Sequence, residues 1–276
     1  MSSMSQLAVV AGAFRYEYRM QIRRVSVWVV LGLLCLLIFG IWSLGGNAEL
    51  HGYFTSGREG IPVHWVPPDP RSAVLDWVQF LGLFVPLGIG LVLADRLARD
   101  KRTRVDELLD TAEGSPSARL TGKFLGSTLA TLTPLLIMYF ALVAYMVQQT
   151  GQFTTIVPLA VAGFAAVLLP AALFVAGFSV TLPLILRVPV YQFLFTGYWF
   201  WANLMSPKIG IPSIVGTMLN AAGPWAQEGI FNYNWTFLRL NATPAQGYLS
   251  IALLSGLGLA AVLGMGVYLR WQHARR

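Results

Sequence analysis

From Phe124 to Leu186 the chain runs for 63 residues without one charged side chain. As a single helix that stretch would be about 95 Å long, roughly three times the thickness of a bilayer's hydrocarbon core. It therefore has to fold back on itself. Four shorter charge-free runs accompany it: Val25–Ala48, Trp77–Ala94, Val188–Pro207 and Leu240–Leu269. A helix crosses the hydrocarbon layer with about 20 apolar residues, so runs of this kind predict an all-α polytopic membrane protein. Composition agrees: 56% of residues are hydrophobic and only 11% are charged, whereas a soluble domain has about 25% charged residues.

The polar stretch Gln148–Thr155 is the natural turn within the long run, and Arg187 with Pro189 marks another. Six transmembrane helices result, at about 26–46, 74–94, 124–147, 156–183, 190–206 and 247–269. The segment 207–246 is apolar but broken by Pro212, Gly216, Asn220, Gly223 and Pro224. It reads as an outer re-entrant hairpin before the last span, since irregular backbone survives at membrane depth only under protein or water. Residues 1–276 then form one transmembrane domain with both termini on one side. That side carries four basic residues on the N-terminal arm, seven in 95–123, Arg187, and three on the tail. The other side has only Arg58, Arg71, Lys208 and Arg239. Fifteen against four places both termini in the cytoplasm by the positive-inside rule. The net charge of +7 is then accounted for by the membrane surface, and a nucleic-acid partner is not called for.

The chemistry of the spans is sparse. The acids nearest to span interiors, Asp76 and Asp95, sit at the two ends of the second one, and His51, His64 and His273 lie outside all six. Ion-coupled transporters use ionisable relays inside the bilayer, haem bundles want axial ligands there, and intramembrane metalloproteases need spaced His and Glu. None of these patterns is present, nor is a phosphate loop: Thr121–Phe124 reads "TGKF" without the upstream glycine or the following hydroxyl. The chain is expected to hold no cofactor of its own. The lone Cys35 lies in the first apolar run, which is too long for a signal core and is expected to remain as an anchor.

Against this background the segment 95–123 stands out, with 13 of the 31 charged side chains. Val105, Leu108, Leu109 and Ala112 fall on one helical stripe, and Gly114 is placed to end that helix. Ser115 followed by Pro116 then predicts the start of the next helix. Acidic residues contribute little to orientation, so six acids among seven bases, beside an apolar stripe, suggest a docking surface for a soluble partner. The N-terminal arm, 5–24, is amphipathic: Leu7, Val10, Phe14 and Tyr18 share a face, with Arg15, Arg19 and Arg23 turned about 100° or more away.

These features resemble the ABC-2 family of permeases, the membrane subunits of type 2 ABC exporters. The match in the loop is carried by Glu107, Leu108, Leu109, Pro116, Ser117, Arg119, Gly122 and Lys123; the Gly-Thr usual before the leucine pair is replaced by Arg104-Val105. The arm resembles the elbow helix of such permeases. The resemblance implies a separate ABC ATPase subunit that binds ATP and Mg, docked through Arg102, Val105, Asp106, Glu107, Leu108, Leu109 and Pro116. It also implies a second permease copy and residence in a bacterial or archaeal plasma membrane. Cargo in the family moves along the interface between copies, which puts Thr196, Trp199 and Asn203 of the fifth span on the expected pathway. The absence of buried charge points to an amphipathic, lipid-like, peptide or drug cargo. A non-transporting membrane scaffold that docks a cytosolic partner is the alternative from another class.

Overall fold

The computed structural model describes residues 3–45, 69–102, 115–205, 210–233 and 239–275. Among these, all regular structure is helical. In chain order the helices are α1 (Ser3–Ile22), α2 (Val25–Gly45), α3 (Pro70–Arg102), α4 (Pro116–Thr150), α5 (Phe153–Gly163), α6 (Leu169–Thr181), α7 (Val188–Asn203), α8 (Pro224–Phe231) and α9 (Pro244–Ala274).

Local chemistry fixes most of the boundaries. Ser115 caps α4, its hydroxyl accepting from Ala118 N at 3.2 Å, with Pro116 in the first turn. A proline there costs nothing, because its missing N–H would have had no helical partner. Gly151 ends α4 in the left-handed region at φ 70°, which glycine enters without a Cβ clash. That is the turn expected between Gln148 and Thr155. Thr243 and Gln246 form a reciprocal capping box at the start of α9. The expected span at 156–183 is not one regular helix. α5 passes through a π turn, Phe164–Leu168, into α6, which ends in a 3₁₀ turn, Leu182–Leu184. Pro170 stands two residues after the π turn, and its ring would clash with the carbonyl four residues back, Ala166 O, in a regular α turn.

Four helical stretches are long and apolar enough to cross a membrane: Pro70–Arg96, Pro116–Thr150, Phe153–Leu184 and Pro244–Gln272. The first is the most enclosed, with 72% of its apolar window buried, and the last the least, at 33%. α3 is thus the axis of the bundle, with α2, α5, α6 and α7 packed around it, and α9 lies on the outside against α6. There Gly177 and Gly258 bring the two backbones into contact, the close approach that small residues allow between apolar helices. α7 has 16 residues, about 24 Å of helix, which is shorter than the hydrocarbon layer. α1 and α2 meet at a bend of 64°.

Within the expected hairpin at 207–246, the described residues 210–233 and 239–243 differ in detail from a plain hairpin. Residues 210–223 are turns, then α8 begins at Pro224 behind a left-handed Gly223 and ends at left-handed Asn232. The end of the irregular segment is covered by protein: Asn220, Ala221 and Ala222 are buried, and Ala222 O lies against Gly82 of α3, whereas most of 210–219 is exposed. The last long helix starts at Pro244, three residues before the expected span.

Candidate functional site

Two polar centres sit at opposite ends of α3, about 30 Å apart by helical rise. The first lies at its C-terminal end. Glu17 of α1 and Arg96 of α3 form a buried bidentate ion pair, Glu17 Oε1 with Nε and Glu17 Oε2 with Nη2 at 2.8 Å. Their exposures are 0% and 2%. Gln21 Nε2 donates to the same Glu17 Oε1 at 3.1 Å, and Arg24 Nη1 donates to Gln21 Oε1 at 3.0 Å. Two charges taken out of water are tolerable only when paired and hydrogen-bonded in this way.

α1 reaches that position because α4 carries glycine where the two backbones come closest. A Cβ on Gly122 would stand 2.6 Å from Val10 O, and one on Gly126 would stand 2.7 Å from Phe14 O. The spacing Gly122-x-x-x-Gly126 lets the helices touch backbone to backbone. The start of α4 is held from the far side as well, where Arg270 of α9 donates to Ser117 Oγ at 2.6 Å. Four helices thus converge around residues 96 and 115–126, the two described ends of the charged segment.

The residues expected to dock an ATPase divide here. Pro116 stands at the start of α4, and Arg102 is the last residue of α3. Val105, Asp106, Glu107, Leu108 and Leu109 lie outside the described residues, as do His51 and His64. On α1, Phe14 and Tyr18 are half-buried against α4, while Arg15, Arg19 and Arg23 are exposed. The apolar face of the arm is therefore packed on protein. Leu7, at 69% exposure, stays open.

The second centre lies at the N-terminal end of α3. Arg71 Nη2 donates to Phe231 O at 2.6 Å, and Tyr233 OH donates to Asp76 Oδ1. Burial and the Asp76 carboxylate both push the Tyr233 phenol well above its ordinary pKa. Glu228 of α8 accepts from Leu240 N at 2.8 Å and Ala242 N at 3.3 Å, anchoring the approach to α9. Asn203 Nδ2 donates to Trp199 O at 2.9 Å and its Oδ1 accepts from Ala222 N at 3.2 Å.

Between the centres, Pro86 interrupts the hydrogen-bond ladder of α3. A proline inside a membrane helix frees carbonyls that neighbouring side chains can take up. Trp199 Nε1 donates to Leu83 O, the carbonyl next to the Gly82 O that Pro86 leaves without its helical donor, at 2.7 Å. Trp199 and Asn203 are both at 0% exposure, so they fasten α7 to α3 and to the 220–222 turn. Of the three residues expected on a cargo pathway, only Thr196 is partly open.

Sequence reasoning did not find the Glu17–Arg96 pair. A signal was present: Val10, Phe14, Glu17 and Gln21 continue one helical stripe, so the only acid of the arm falls on its apolar face. Among the described residues, no group of three or more His, Cys, Asp or Glu side chains could hold a metal. No protein-family model, no curated protein and no solved structure matches the chain.

Proposed function

We propose that this chain is the membrane-spanning permease subunit of an ATP-driven ABC transporter. Its six spans are α2, α3, α4, α5 with α6, α7 and α9, α1 is an elbow at the membrane surface, and 210–243 is a re-entrant cap on the outer side. A separate ATPase subunit docks on the segment 103–114 at the cytosolic face and supplies the energy, and a second permease copy completes the path for an amphipathic or lipid-like cargo.

The observation that carries this reading is the gripped base of the bundle. The chain has no energy source of its own that the sequence reveals, and its charged segment joins the most enclosed helix, α3, to α4. Both helices are fastened to α1 at that point, by Glu17–Arg96 and by Gly122 and Gly126. A push on 103–114 would therefore move α1, α3 and α4 together. The 16 residues of α7 are short for a span, and local thinning of the bilayer accommodates such mismatch at modest cost. Protein cover over the irregular 220–223 backbone supports a re-entrant segment.

The test is reconstitution of the chain with the ATPase that co-purifies with it, followed by Leu108→Asp with Leu109→Asp. An apolar anchor in a docking surface turned into two carboxylates should cost at least about 2 kcal/mol of association, about 30-fold in affinity. Loss of lipid- or drug-stimulated ATP hydrolysis, with membrane insertion unchanged, is the expected result. An intact, fully stimulated complex from the double variant would refute the docking role, and a partner without ATP hydrolysis would favour the scaffold instead.

A further inference from the structure

On the face of α1 turned away from α4, Arg15, Arg19 and Arg23 stand one helical turn apart and line an open groove of about 550 Å³ with Tyr16 and Met20. The only acid of α1, Glu17, points the opposite way and is taken by Arg96. Among the described residues none of the three arginines makes an ion pair. Three guanidiniums thus face one groove with no anion among the described residues to balance them.

What lies beside the groove narrows the anion. The chain bends by 64° after Ile22, and Trp28 Nε1 donates to Ile22 O at 2.7 Å across the bend. Immediately beyond it α2 presents an exposed apolar strip, including Val25 at 74%, Leu33 at 62% and Leu37 at 64%. The groove's last lining residue, Arg23, stands two residues before Val25, where the apolar strip begins. That sequence of cationic and apolar surface matches an amphiphile with a phosphate at one end and hydrocarbon at the other. A guanidinium offers a planar fork of donors suited to phosphate oxygens.

We infer that Arg15, Arg19 and Arg23 form a headgroup site for an anionic phospholipid, whose acyl chains lie along the exposed strip of α2. The site rests on the reading of α1 as a helix at the membrane surface. Free inorganic phosphate shares the headgroup chemistry but gains nothing from the apolar strip, and it should compete only feebly.

The full chain, purified in a non-ionic detergent, is mixed with equal amounts of phosphatidylglycerol and phosphatidylcholine, and retained lipid is read by native mass spectrometry. A basic residue near a membrane surface is worth about fivefold for an anionic lipid, so the wild type should prefer phosphatidylglycerol by at least about tenfold. R15Q/R19Q/R23Q should bring the ratio close to one. R187Q/R239Q/R275Q removes the same charge from exposed positions elsewhere and should leave it intact. Arg19→Lys keeps the charge without the fork and should lower it partway. A preference that survives the first triple variant, or falls equally in the second, overturns the site; displacement of the lipid by 10 mM-scale inorganic phosphate, about the strength of ordinary buffers, overturns its assignment to lipid. The surface reading is checked separately by a bimane probe on Ala11→Cys in a Cys35→Ala background, with quenchers at headgroup depth. Quenching without lipid preference sinks the site alone; absence of quenching sinks the surface helix as well.

Discussion

Glu17 and Arg96 show how much can depend on two side chains in a chain with so few charges. Each is acceptable inside the protein because the other neutralises it, and Gln21 occupies a further lone pair of the carboxylate. Glu17→Gln keeps the shape and removes the charge, which leaves a buried guanidinium without its counter-ion. Breaking a buried pair from one side costs about 3–5 kcal/mol, and we expect a large fall in the thermal midpoint of the purified protein. Glu17→Leu combined with Arg96→Met removes both charges and fills similar volume, so it should recover most of that loss. If the double variant is no more stable than Glu17→Gln, the pair is not what holds α1 to α3. Trp199 and Asn203 make a related point. Both carry polar groups into the apolar bundle, and both spend them on backbone groups, Leu83 O close to Pro86 and Ala222 N in an irregular turn.

At the scale of the helix, backbone contact depends on what is missing. Gly126→Ala would put a Cβ 2.7 Å from Phe14 O and 3.1 Å from Tyr18 N, both backbone atoms of α1, so the whole helix must shift. Overpacking of that kind costs about 1–3 kcal/mol, more than alanine returns in helix propensity. Gly256→Ala on α9 meets nothing within 4 Å and should be neutral or stabilising by up to about 1 kcal/mol. Because a shifted α1 also loosens Glu17, Gly126→Ala and Glu17→Gln should be non-additive by at least about 0.5 kcal/mol; strict additivity in thermal unfolding would mean the two contacts act independently. The elements themselves were largely legible in the sequence. The α4 cap at Ser115–Pro116 and the turn at Gly151 were readable because a cap or a left-handed turn is decided within a few residues. The Glu17–Arg96 contact was not, since its partners are 79 residues apart and only the glycine pair of α4 brings them together. The π turn before Pro170 and the brief α8 were missed for a different reason. Hydropathy averages over a window longer than either feature, although Gly223-Pro224 carries the start signal of a helix.

The whole molecule leaves broad apolar surface uncovered. Leu33, Leu36 and Leu37 on α2, Phe193 and Leu194 on α7, and Leu263 and Val267 on α9 are all more than half exposed. In water so large an apolar surface would drive association; lipid or a second copy removes the penalty. The topology proposed above assigns the cytosolic end by the positive-inside rule. In that topology the end that holds Glu17–Arg96 takes the arm, the charged segment, Arg187 and the tail, fifteen basic residues in all, while Arg239 belongs to the other end with Arg58, Arg71 and Lys208. Orientation should then be readable with single cysteines in a Cys35→Ala background, using a membrane-impermeant maleimide on intact cells. Arg239→Cys should label at once, whereas Asp106→Cys and Ala274→Cys should label only after the membrane is opened. The two cytosolic sites are diagnostic together. Labelling of Ala274→Cys alone in intact cells would mean an odd number of crossings between residues 106 and 274, with the short α7 failing to span. Labelling of both would invert the molecule, put the charged segment beyond the reach of ATP, and leave no place for a nucleotide-driven partner to act.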